Sequence, residues 1–79
     1  MNIALYRQRE RNGKYYWFDE EDQLVGKLID REFTFKSEGF KKRVIRHCRL
    51  NQIKLIEIGD TTATLSPISL KKLHKLSGV

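Results

Sequence analysis

The chain has 79 residues, 33% of them charged, with 16 Lys and Arg against 10 Asp and Glu and a formal net charge of +6. That length suits one small domain with one core, and the eight aromatic residues among scattered charges of both signs exclude a disordered tail. The sign of the charge excludes an acidic mimic of nucleic acid and favours a polyanionic partner.

Ile3 to Arg9 and Lys14 to Asp19 read as two strands about Asn12-Gly13. That dipeptide supplies the positive φ angles of a type I′ hairpin turn. The register it implies sets Arg7 against Phe18, Gln8 against Trp17 and Arg9 against Tyr16. Ile3, Leu5, Arg7, Arg9, Arg11, Tyr16 and Phe18 then share one side of the hairpin. Tyr6, Tyr15 and Trp17 on the other side are expected to face the core, leaving the arginine row in water.

The acidic run Asp19-Glu20-Glu21-Asp22 reads as a turn that balances neighbouring arginines. It lacks the glycine and the spaced ligands of a calcium loop. Gln23 to Ile29 has two readings, a third strand or a helix with Leu24, Val25, Leu28 and Ile29 as its apolar stripe. Gly26 costs about 1 kcal/mol in a helix interior, and the strand is preferred. Glu32 to Lys36 alternates as a strand, with Phe33 and Phe35 on one face.

Ser37 to Leu50 reads as a well-signalled helix. The Ser37 hydroxyl can cap it and Glu38 suits the positive end of its dipole. At about 100° per residue, Phe40, Val44, Ile45 and Cys48 fall on one side and Lys42, Arg46 and Arg49 on the other, with Lys41 and Arg43 flanking the apolar arc. Ile53 to Ile58 and Thr61 to Leu65 read as a second hairpin about Gly59-Asp60, a two-residue turn with glycine first. The alternation slips within Ile53 to Ile58, which predicts a bulge or a strand buried on both faces. Ser66 and Pro67 then open a second helix, with Leu65 and Leu70 spaced as a hydrophobic staple. Leu70, Leu73 and Leu76 form its stripe, Lys71, Lys72 and Lys75 lie opposite, and Gly78 ends it. The order is β-β-(β)-β-α-β-β-α. The fold class is α+β: a small antiparallel sheet of two hairpins plus one or two further strands, with two helices.

Two candidate binding surfaces follow. Phosphate recognition needs long cationic side chains converging on one surface, and that term supplies most affinity for nucleic acid. Lys41, Lys42, Arg43, Arg46 and Arg49 of the first helix fit this need, with few acids nearby to neutralise them. Arg7, Arg9 and Arg11 with Tyr16 form the second surface, an arginine–aromatic ribbon suited to base edges or to stacking on bases. A three-stranded sheet followed by a helix entered through Phe33-Thr34-Phe35-Lys36-Ser37-Glu38-Gly39-Phe40 resembles, in pattern, the arm-type DNA-binding domain of phage integrases. The resemblance spans at most residues 3–50 and implies that the sheet reads the groove. The second hairpin and the last helix are not part of it.

No catalytic, metal-binding or cofactor motif is found. His47 and Cys48 are adjacent, so on a helix they point about 100° apart, and no Cys-x-x-Cys or His-x-x-x-His pair exists. Cys48 has no cysteine partner, and with no apolar leader or spanning run a reducing cytoplasmic setting is the expectation. The expected function is a non-catalytic nucleic-acid-binding accessory or regulatory protein of phage or mobile-element type, with DNA favoured over RNA and no membrane partner. The alternatives are an interaction module docking an acidic protein and, third, a metal-independent ribonuclease using His47, His74, Arg46 and Tyr16. A chain this small can also complete its core by forming a homodimer.

Overall fold

The structure, a computed structural model, describes residues 3–69. Six strands form one antiparallel sheet: β1 (Arg7–Arg11), β2 (Lys14–Phe18), β3 (Leu24–Ile29), β4 (Glu32–Phe35), β5 (Leu55–Ile58) and β6 (Thr62–Leu65). Their spatial order is β1-β2-β3-β4-β6-β5, and the helix α1 (Glu38–Leu50) connects β4 to β5. This is the expected α+β arrangement. A further helical turn begins at Pro67, where the Ser69 N–H donates to the Ser66 hydroxyl at 3.1 Å, as a cap should. The leucine stripe from Leu70 to Leu76, the lysines opposite it, His74 and Gly78 lie outside the described residues.

The first hairpin follows its sequence. Asn12 and Gly13 have φ of 52° and 77°, as a type I′ turn requires. The register sets Arg7 against Phe18, Gln8 against Trp17 and Arg9 against Tyr16. Its beginning differs from expectation, because β1 starts at Arg7 rather than Ile3. Leu5 has a φ of 75° and the Tyr6 N–H donates to the Ile3 carbonyl at 3.1 Å, so the chain turns before the strand begins. That turn tucks Ile3 into the core and leaves Leu5 exposed. Neither continues the arginine row.

Gln23 to Ile29 contains a strand, and Gly26 is the reason the helix packs where it does. An added Cβ at Gly26 would lie 2.3 Å from the Phe40 ring and 2.9 Å from the Thr34 carbonyl. The Phe40 ring of α1 is therefore seated on the bare backbone of Gly26. Ser37 caps α1, accepting from the Phe40 N–H at 3.3 Å. Phe40, Val44 and Cys48 are buried beneath it. Around Phe40 gather Tyr6, edge-on with ring centroids 5.1 Å apart, Trp17 at 5.3 Å and Phe35 at 6.0 Å. Tyr15 and Trp17 are buried on the helix side, and Tyr6 packs against them in part. Gln8 and Trp17 oppose each other there, and Gln8 Oε1 and Trp17 Nε1 are buried without a hydrogen-bond partner.

The second hairpin keeps its bulge and moves its turn. The register slips between Leu55 and Glu57, where the alternation breaks. Gly59 pairs with Thr62 through an N–H···O bond of 2.7 Å, which places Asp60-Thr61, not Gly59-Asp60, at the corner. Gly59 has no positive φ, so the glycine-first turn is not formed.

Candidate nucleic-acid interface

The helix presents its cations as its period dictates. Lys42, Arg43, Arg46 and Arg49 are exposed on α1. Lys41 is not part of that row: it is half-buried, and its ammonium donates to the Asp60 carbonyl at 2.9 Å, tying α1 to the second hairpin. His47 lies beside Lys42, Arg43 and Arg46 along a shallow groove closed by Ile3 and Leu50. Burial holds its pKa below the ordinary 6.5, so near pH 7 its imidazole is neutral and adds no charge to the groove.

The sheet presents a different kind of surface. Side chains alternate along a strand, so the neighbours of Tyr15 and Trp17 point away from α1. Arg7, Arg9 and Arg11 are exposed on that open face, and Tyr16 and Phe18 are half-buried between them and the rest of the sheet. The Arg7 guanidinium lies 2.5 Å from an Asp22 carboxylate oxygen and 5.2 Å from the centre of the Phe18 ring. The acidic turn does balance an arginine. Asp19 shapes that turn by accepting from the Glu21 and Gln23 N–H groups, each at 2.9 Å. Among the described residues this is the one ion pair, so Arg9, Arg11, Lys42, Arg43, Arg46 and Arg49 have no carboxylate partner there.

Strand pairing joins the ribbon to residues that sequence reasoning missed. Arg9 opposes Tyr16, Tyr16 opposes Lys27, Lys27 opposes Thr34 and Thr34 opposes Thr62. The result is one continuous row of a cation, a phenol, a second cation and two hydroxyls across five strands. The pleat sets Lys27 opposite in sense to Gly26 and Leu28 once β3 is a strand, but only the pairing of β2, β3 and β4 puts Lys27 and Thr34 in the row of Arg9 and Tyr16.

The two surfaces do not converge. The α1 helix covers the face that carries Trp17, and the arginine row lies on the other. Of the residues named for a ribonuclease, Tyr16 sits on the open face and Arg46 and His47 on the helix, while His74 lies outside the described residues. Cys48 is buried, and burial pushes its thiol up to about 11. Among the described residues no three His, Cys, Asp or Glu side chains are grouped to hold a metal ion, and no helix is long and apolar enough to cross a membrane. Comparison of the chain with protein-family models, curated proteins and solved structures finds no match, so the pattern shared with integrase arm domains gains no support from a solved relative.

Proposed function

We propose that the chain is a non-catalytic nucleic-acid-binding protein that contacts duplex DNA through the open face of its sheet. The cross-strand row Arg9–Tyr16–Lys27–Thr34–Thr62 carries this reading. Its cations lack carboxylate partners among the described residues, and Arg11 extends it at the hairpin end. Arginine can donate two bonds to the guanine edge in the major groove, and a two-stranded ribbon is narrow enough to enter it. Threonine hydroxyls and lysine suit phosphate and sugar contacts, which set register without reading sequence.

Fluorescence anisotropy with a labelled generic duplex, between about 50 and 200 mM salt, tests the proposal, because each phosphate contact contributes about 0.9 to the logarithmic salt slope. Replacing Arg9 and Arg11 by Gln is expected to weaken binding and to flatten that slope by up to about 1.8. A single strand bound more tightly than the duplex, with Tyr16→Ala costing about 1–3 kcal/mol, would reassign the face to base stacking. Absence of binding to either at the low-salt end would leave an acidic protein as the partner.

A further inference from the structure

We infer that the molecule bridges two duplex segments, one on each side, with α1 as the second contact surface. This rests on the reading of the open sheet face given above. Lys42, Arg46 and Arg49 follow one stripe of α1, are exposed, and lack carboxylate partners among the described residues. They lie across the sheet from Arg9, Arg11 and Lys27, so a duplex docked on the strands leaves them untouched. Even along their shortest axis the described residues span 21 Å. That distance is more than twice the screening length of roughly 8 Å at physiological ionic strength, so two bound segments would repel each other little through the protein.

One segment cannot serve both sides. Reaching the helix from the sheet would require DNA, whose persistence length is about 150 bp, to reverse direction around a particle at least 21 Å across. Two separate segments, or distant parts of one molecule, meet the same cations without bending. The two sides also differ in kind. The helix row offers cations on flexible stems and no aromatic group, which suits phosphates of any sequence. The sheet row adds Tyr16 and Thr34 and can hold a segment in register. Joined on one rigid body, two modest sites raise each other's effective concentration.

The test is capture of a free fluorescent duplex by an unlabelled duplex fixed to beads, with the full chain added at about 50 mM salt, the low end of the range over which such binding is read. Wild-type protein is expected to capture the free duplex, and capture should decline again when excess protein coats both partners separately. The triple variant Lys42→Gln, Arg46→Gln, Arg49→Gln should still load onto the beads through its sheet yet lose capture at least tenfold. Far-ultraviolet circular dichroism confirms that it folds. Replacing Arg9 and Arg11 by Gln should also lower capture, here together with loading. Capture by the helix variant equal to wild type would overturn the inference, since bridging would then run through self-association. Wild-type protein held on the beads without capture overturns it as well and leaves the sheet reading standing. No protein on the beads removes both.

Discussion

The two faces of the sheet are made from the same strands, and alternate residues of one strand meet opposite fates. On β2, Tyr15 and Trp17 are buried beneath α1, whereas Tyr16 between them is only half-buried and borders arginine and lysine. The inner face is closed by aromatic rings meeting at Phe40, and its contacts are specific in shape. The outer face holds rings too, but they are interleaved with cations and hydroxyls that keep their polar ends in water. Aromatic content therefore does not separate the core from the open face in this chain. What separates them is whether the cross-strand neighbours are apolar or charged. Substitutions on the inner face should register in folding, and those on the outer face in binding.

The largest effect is expected at Phe40. Phe40→Ala should cost about 3–5 kcal/mol by urea denaturation, because it opens a cavity in the centre of the aromatic cluster. That is a large part of a total of about 5–15 kcal/mol for a typical domain. Gly26→Ala should cost about 1–3 kcal/mol for the opposite reason, overpacking. Its Cβ would come too close to both the Phe40 ring and the Thr34 carbonyl, so one of them must shift. In a double-mutant cycle Gly26→Ala should cost less in a Phe40→Leu background than in wild type. Strict additivity would mean that the ring is not what excludes a side chain at Gly26.

Cys48 sharpens the same contrast through pH. Its thiol pKa is about 11 in the folded protein, above the ordinary value of 9.0. Below pH 9 the thiol is protonated in both states and the contribution is constant. Between about 9 and 11 the unfolded chain loses the proton and the folded chain keeps it, so stability falls as pH rises, by at most about 1.4 kcal/mol per unit. Denaturation midpoints measured at pH 8 and pH 10.5 should show a smaller alkaline loss in Cys48→Ala than in wild type. An identical loss would show that the Cys48 thiol does not contribute to the alkaline dependence.

Most of the inner face was legible because its determinants are local. The Asn12-Gly13 turn sets the hairpin register, and register sets which aromatics share a face, though not which face turns inward. Ser37 and the spacing of Phe40, Val44 and Cys48 define α1 without outside help. What escaped depends on contacts far apart in the chain. Gly26 argues weakly for a strand by propensity, whereas its actual reason is the Phe40 ring seated on it. Lys41 belongs to the basic run in sequence, yet its ammonium is taken by the Asp60 carbonyl 19 residues away. Leu5 sits in the left-handed region, which a leucine in an alternating stretch gives no cause to expect. The outer row was half visible. The arginines and Tyr16 follow from one hairpin, but Lys27, Thr34 and Thr62 join them only when three further pairings are known. That the two basic surfaces lie on opposite sides follows from which face α1 covers, and the hairpin is apolar enough on both sides to permit either.

The smallest expected effect lies at the edge of the open face and tests whether Arg7 belongs to the proposed DNA-contacting row. Arg7 and Asp22 are both solvent-exposed, and such pairs contribute about 0–1 kcal/mol. Asp22→Asn should therefore change the unfolding midpoint little. It should nonetheless strengthen duplex binding, because it releases a guanidinium beside Phe18 and removes a negative charge that faces the incoming phosphates. One additional contact would steepen the salt slope by about 0.9. Tighter binding with a steeper slope would extend the row to Arg7. Unchanged binding would confine the contact to Arg9 and the strands beyond it, and would give the Arg7 pair the single task of holding the acidic turn against the first strand.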